Sequence, residues 1–384
     1  MNEKKLKRLY LIKRIIFVAI IAYIVIFALM NTSYLSVDNL RRFGYSARTA
    51  LTQTSASNND VLTYSSEDIP VFTPFKDGFA VLNGSQLSVY SKDNIRFSYH
   101  NVSFRHPVIR VSDEFILCYD RGGKLLKVFN SFDLLFEYEF SELIINASVD
   151  NSGRVAVLTE KYGYKGQLTL FDGSFKERFL WYSADTYPID VAFTSTNTLS
   201  VVTIAQEYEN LNTVVYTLNY SAGEERGNIT SQGTFPLSVT MKSDGSVEVM
   251  SESGLVSFRS GGCNTVYNYG TRTPHRFYQG GKYTVISYRN SAQNDTYTVC
   301  AVDIAGNRLF EQDFQNVRAV SALSDAIFVL TSDSFFVLDA TGTPVSRTDA
   351  PAGVTGIVPG RRKLILYGAE KAFIYNVTDF LKQH

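Results

Sequence analysis

The chain has 384 residues, more than most single domains hold, yet all-β barrels and propellers reach that length as one unit. Its 37 basic and 37 acidic residues cancel overall, but residues 1–14 carry six basic groups (Lys4, Lys5, Lys7, Arg8, Lys13, Arg14) against Glu3, a local +5 that leaves −5 for the remainder. That sign argues against a nucleic-acid partner, because binding phosphates needs a cationic footprint on the folded part. Cys118, Cys263 and Cys300 are too few and too scattered for a disulfide framework or a zinc site.

In chain order, the basic tail of residues 1–14 precedes IIFVAIIAYIVIFALM (15–30), sixteen residues without a charge. A bilayer core needs about 20 residues at 1.5 Å each, so Leu9 to Ile12 and the snorkelling stems of Lys13 and Arg14 complete a single transmembrane helix. A cleaved signal peptide is the competing reading. Its apolar core would exceed the usual length and no A-x-A pattern follows, so an uncleaved signal-anchor is expected. Basic residues before the apolar run place the C-terminal bulk outside the cytoplasm, in a single-pass cell-membrane protein. Residues 31–58 are rich in Ser, Thr and Asn and read as a polar stalk, in which Ser36 caps a short helix carrying Val37, Leu40, Ala47 and Leu51.

From residue 59 to 384 one pattern recurs, an apolar strand, a turn of Asp, Gly, Asn or Ser, and another strand. The abundance of aromatic residues, 27 Phe and 24 Tyr, suits pleated strands. Aligned on the turn, the copies are VYSKDNIRFSY (89–99), VFNSFDLLFEY (128–138), LFDGSFKERFL (170–180), LNYSAGEERGN (218–228), SFRSGGCNTVY (257–267), AVDIAGNRLFE (301–311), VLDATGTPVSR (337–347) and IYNVTDFLKQH (374–384). Each follows a strand such as GFAVLNG, EFILCYD or AIFVLTS, and an inner strand lies before that. Four strands in about 40 residues is the arithmetic of a β-propeller, here with eight four-stranded blades, seven if one copy is misread. No strand follows Phe380, so DVLTY (60–64) is expected to complete the eighth blade and tie the chain ends together.

The copies VDIAGNRLFE and LDATGTPVSR, with Asp303 and Asp339 in an apolar-Asp-x-x-Gly turn, resemble the repeats of quinoprotein-like bacterial propellers; Asp172 matches approximately, and Ser91 and Arg259 depart from the pattern. The layout of tail, anchor, stalk and propeller is similar to that of membrane-anchored extracytoplasmic propeller proteins of bacteria. The resemblance implies a fold and a compartment. It implies no substrate and no functional residue.

No cofactor or metal is indicated. His100, His106, His275 and His384 stand in no ligand spacing and beside no recognised nucleophile motif. Asp150-Asn151-Ser152-Gly153 and Asp244-Gly245 lack the alternating oxygens of a calcium loop and read as tight turns. A quinone enzyme needs a tryptophan-floored pocket and calcium, whereas the chain has one tryptophan, Trp181, in an outer strand. N-x-S/T triplets such as those at Asn146 and Asn219 fall in or beside apolar strands, where a glycan would clash.

In a propeller, second-to-third-strand loops and blade-to-blade connections emerge on one face. The long insertions fall there: HNVSFRHP (100–107), EKYGYKG (160–166), SADTYP (183–188), AQEYENLNT (205–213), NYGTRTPH (268–275) and RNSAQND (289–295). Loops on a rigid scaffold carry binding residues, and Tyr and Arg are enriched in interaction hot spots. Arg105, Tyr162, Tyr164, Tyr208, Arg272 and Arg289 are therefore the candidate binding residues, with the solvated-loop reading beside them. The expected function is a non-enzymatic scaffold holding a protein or cell-wall glycan. The alternative is a cell-envelope hydrolase or lyase with its site at the propeller channel, which requires acidic or basic groups converging at one mouth.

Overall fold

The computed structural model describes residues 13–14, 16–18, 36–52, 61–259, 261–290 and 295–381, in two units, 1–56 and 57–384. In the first unit the stalk holds an α-helix, Val37–Thr52, that starts where Ser36 predicts. Ser36 Oγ accepts the Asn39 amide at 3.2 Å and its carbonyl accepts the Leu40 amide at 3.0 Å. Most of the expected membrane span, residues 15–30, lies outside the described residues. Among the described residues no helix is long and apolar enough to cross a membrane.

The second unit is an eight-bladed β-propeller of four-stranded antiparallel sheets, which settles the choice between seven and eight. Blades 1 to 7 occupy residues 71–101, 107–139, 144–183, 187–231, 238–268, 274–315 and 319–349, each with strands in sequence order from the channel outward. Blade 8 takes three strands from residues 354–376 and its outermost strand from Val61–Thr63.

Strand composition follows from position. The second strand of a blade has neighbouring blades against both faces, so Ile116–Asp120, Val155–Thr159 and Ala326–Leu330 are buried at every residue. That sandwiching explains why they read as continuous apolar runs rather than as alternating ones. Outermost strands meet water on one side; Leu134–Glu139 is mostly exposed. The buried apolar residues form eight clusters, each shared by two adjacent blades. Leu117, Tyr119 and Val128 of blade 2 pack on Val155, Val157 and Phe171 of blade 3, and Val285 and Val299 of blade 6 on Ile327 and Val329 of blade 7. The last cluster joins Phe72 and Phe79 of blade 1 to Ile365, Ala372 and Ile374 of blade 8 and closes the ring.

The closing strand pairs Val61 with Phe373, Leu62 with Ala372 and Thr63 with Lys371, as expected for DVLTY. The Tyr64 hydroxyl donates within reach of two carbonyls, Gly368 at 2.8 Å and Lys371 at 3.0 Å. Burial pushes this hydroxyl up to about 12. The chain therefore enters the ring on the face of the first–second and third–fourth turns. After the eighth repeat turn it forms a short helix, Thr378–Leu381, whose Phe380 packs edge-on against Phe335 and Tyr375.

Four of the repeat turns share one mechanism. Asp303 Oδ1 accepts the amides of Ala305 (2.9 Å) and Asn307 (2.8 Å), with Gly306 at φ 89°; Asp339 Oδ1 accepts those of Thr341 (2.8 Å) and Thr343 (3.0 Å), with Gly342 at φ 85°. The departing copy at Ser91 and the approximate one at Asp172 use the same geometry, whereas Arg259 offers no side-chain oxygen. Ser91 Oγ accepts the Asp93 and Ile95 amides at 3.1 Å with Asn94 at φ 59°, and Asp172 works with Phe175 at φ 59°. Phe175 tolerates a conformation glycine prefers because its ring stacks on Phe136 of the preceding blade, centroids 4.7 Å apart.

Among the described residues, the most deeply buried ion pair lies at a blade interface. Lys242 Nζ lies 3.1 Å from Glu248 Oε1 in blade 5, both side chains almost without exposure, and donates to Thr284 Oγ1 (2.7 Å) and the Gly280 carbonyl (3.0 Å) of blade 6. Burial pulls the lysine below its ordinary value, against the opposing pull of Glu248.

Two stability predictions follow from these contacts. Tyr64→Phe removes the bonds that seal the ring and should lower the unfolding free energy by about 1 kcal/mol in a denaturant titration, with the fold retained. Lys242→Met strands a buried carboxylate and should cost about 3 to 5 kcal/mol, most of it regained in the double variant with Glu248→Leu.

Candidate functional site

The eight antiparallel blades divide the connections between two faces. First–second and third–fourth turns lie on one, the turn face; second–third loops and blade-to-blade connections lie on the other, the loop face. All six candidate binding residues belong to the loop face by this topology.

Three of them come from adjacent blades. Tyr162, in the second–third loop of blade 3 beside Gly163 (φ 82°), is 95% exposed. Tyr164 in the same loop leans on Tyr182, centroids 4.9 Å apart. Tyr208 is 92% exposed in blade 4. Its setting corrects the reading of residues 205–213 as a long loop. The strands Thr198–Glu207 and Asn210–Asn219 continue through that segment as a hairpin with a two-residue turn. The first strand of the blade stops pairing at Tyr187↔Ile204 and the fourth at Thr213↔Ser231. Three residue pairs, Ala205–Asn212, Gln206–Leu211 and Glu207–Asn210, thus stand beyond the sheet, a projection of about 10 Å at the usual strand rise. Asn212 braces it, its Oδ1 accepting the Gly233 amide at 2.9 Å.

At the tip Tyr208 adopts φ 53°, a left-handed conformation that a bulky residue occupies at a cost of order 1 kcal/mol. The ring gains no burial in return. The sequence reading did not include Tyr182, Tyr187, Leu211, Phe235 and Leu237, which are also exposed on the loop-face side of blades 3 and 4 or the connection to blade 5. Lys165 Nζ lies 2.9 Å from the Tyr187 hydroxyl and 4.7 Å above its ring. Apolar residues beside turn signals were the available clue, but exposure depends on how far neighbouring blades reach.

The three arginines lie elsewhere on the ring. Arg105 is exposed between blades 1 and 2, where Asp120 Oδ1 fixes its amide (2.9 Å) and that of His106 (2.6 Å). Arg289 pairs with Asp295 at 3.2 Å. Arg272 is held internally: its guanidinium lies 4.2 Å over the Tyr288 ring, donates to Tyr267 Oη at 3.1 Å and pairs with Glu311. Next to these loops His275 packs on Tyr297, and burial together with Arg276 and Arg289 holds it below its ordinary value.

In the channel wall stands Asp190, paired with Val202 just after a bulge at Ile189. Its Oδ1 accepts the Val191 amide at 2.8 Å, and burial raises its carboxyl against the pull of Arg110 and Arg121. Polar bonds join neighbouring blades here, Tyr119 Oη in the second strand of blade 2 to Asn146 Oδ1 at 2.7 Å and Asn146 Nδ2 to the Ile189 carbonyl at 3.1 Å. These bonds link blades 2, 3 and 4, and among the described residues of the innermost strands Asp190 is the one carboxylate, whereas a glycosidase pair needs two. Among the described residues no group of three or more His, Cys, Asp or Glu is placed to hold a metal. Burial raises the Cys118 and Cys300 thiols, which keeps them unreactive.

The fold has counterparts among solved structures. BamB from Moraxella catarrhalis aligns with a TM-score of 0.52 at 13% identity, over 82% of this chain and 99% of that one. AztD from Citrobacter koseri aligns at 0.50 and 11%, over 82% and 92%. A eukaryotic initiation factor aligns at 0.56 and 12%, over 80% and 85%. Two bacterial propellers and a eukaryotic one at such identities share an architecture and nothing finer. No curated protein sequence matches. Residues 49–374, which take in the end of the stalk and nearly the whole ring, match a family of unknown function (DUF5711), and the chain belongs to that family.

Proposed function

We propose that the protein is a membrane-anchored extracytoplasmic scaffold that binds a protein partner through the tyrosine-rich loop face of blades 3 and 4. The observation that carries this reading is the Tyr208 hairpin. It projects beyond its sheet, is braced at its base, and holds an almost fully exposed aromatic ring in a disfavoured backbone conformation. Strain kept without a packing return suits a residue whose partner is another molecule. Tyrosine offers a large, amphipathic contact with few rotatable bonds, and Tyr162 offers the same from the next blade.

The anchor rests on the sequence: a basic tail followed by a charge-free apolar run, with the positive-inside rule setting orientation. The closing strand begins at Val61 on the turn face, opposite the loop face. The bacterial propellers BamB and AztD are similar in fold, which is compatible with a scaffold role and specifies no ligand. A hydrolase at the channel is the weaker reading, since Asp190 faces arginines rather than a second acid.

Two measurements test the proposal. A C-terminal alkaline phosphatase fusion should be active and a fusion at residue 14 inactive; the reverse pattern rejects the topology. Partners that co-purify with the full-length protein should be lost from Tyr162→Ala/Tyr208→Ala, with affinity reduced about tenfold or more and melting unchanged, and retained by Lys92→Ala on the turn face. Equal recovery with all three proteins rejects the loop-face site.

A further inference from the structure

The stalk helix, Val37–Thr52, has two chemically distinct sides. At 3.6 residues per turn, Val37, Leu40, Phe43, Gly44 and Ala47 fall within an arc of about 120°. Asp38, Arg42 and Ser46 lie on the opposite side, and Arg41 and Arg48 border the apolar arc next to Val37. A surface helix of a water-soluble domain turns such an arc into the core. Here the arrangement is reversed: Val37 is 74%, Leu40 56% and Phe43 75% exposed, whereas Asp38 and Arg42 are buried.

A helix of 16 residues with Gly44 near its middle is marginal in water unless its apolar side is covered. Covering Val37, Leu40 and Phe43 contributes about 1.5–3 kcal/mol each. Chain length limits what the cover is. The charge-free apolar run ends at Met30, and the six residues 31–36 reach at most about 20 Å when fully extended. With that run in a bilayer, the helix starts within reach of the headgroups. Charge agrees with that placement. Three arginines against one aspartate give the helix +2, and Arg41 and Arg48, both exposed, stand where the apolar arc meets the polar side. A helix lying in the plane of an anionic membrane surface has this arrangement, with its apolar arc at the acyl boundary and its cations at the level of the phosphates. Sixteen residues with a polar half are too short and too polar to span.

We propose that Val37–Thr52 is an interfacial helix that lies on the outer leaflet of the membrane and contacts anionic lipid. The inference rests on the anchored reading of residues 15–30 and adds a second membrane contact to it. The stalk then follows the membrane surface instead of rising from it.

Trp181 is the one tryptophan of the chain, so Trp181→Phe gives a dark background for a fluorescent reporter. In that background Phe43→Trp puts the reporter in the apolar arc and Tyr45→Trp puts it on the polar side. Each full-length protein is reconstituted into phosphatidylcholine–phosphatidylglycerol vesicles, with and without brominated acyl chains, and floated on a density gradient. Brominated lipid should quench the Phe43→Trp protein at least about threefold more than the Tyr45→Trp protein, because a surface helix sinks only about 5–10 Å and brings only its apolar arc to the acyl chains. Equal or absent quenching in proteins that float overturns the interfacial helix and leaves the anchor standing. Failure to float overturns both. A blue-shifted Phe43→Trp emission that bromine does not quench, with a Phe43→Cys protein that cross-links to a second copy, gives the apolar arc to a dimer and overturns the proposal as well.

Discussion

The fold depends on one constraint, that each blade buries both of its faces against neighbours. A four-stranded sheet of this size has no core of its own, and its second strand becomes stable only when a blade lies on either side. Eight apolar clusters, one per interface, meet that requirement around a closed circle. Closure is then obligatory, because an open arc would expose the apolar faces of its first and last blades. Phe72 and Phe79 against Ile365 and Ile374 remove that exposure, and the Val61–Thr63 strand makes the closing contact part of a sheet from both chain ends.

Rigidity of the ring is what lets the two faces differ. At four of its third–fourth turns the turn face has an Asp or Ser oxygen that captures two amides, leaving little chain free to wander. The first–second turns of blades 2 and 3 interlock as well, through the bonds between Asp113 and Asn151. The loop face carries the variation in length. The blade 4 hairpin exploits it by extending strands already fixed in register, which projects Tyr208 without the entropy cost of a long flexible loop.

Electrostatics separates structural from available charge. Lys242 and Glu248 are consumed at an interface, as is Arg272 by Tyr288, Tyr267 and Glu311. Arg361 is a contrasting case, an exposed guanidinium in a long contact. Arg and Lys look alike in a sequence; what distinguishes these is whether aromatic rings or carboxylates from other blades arrive within reach.

The sequence by itself determined the repeat, the blade count to within one, the closing strand and the side of the ring on which the long connections lie. These are local or periodic properties: an apolar run with a turn signal every 40 residues or so survives reading in one dimension. It even contained the departures from the repeat turn, because Ser91 and Asn94 supply the oxygen and the left-handed residue that Asp and Gly supply elsewhere. Tertiary structure decided the rest. Residues 205–213 are polar enough to read as a loop, and only pairing across the hairpin makes them strand. Arg272 and Tyr208 were equivalent candidates until packing and pairing tied down the first and left the second in water. Arg361 and Asp113 meet only because the ring closes, and contacts between residues 248 positions apart leave no trace in a single sequence.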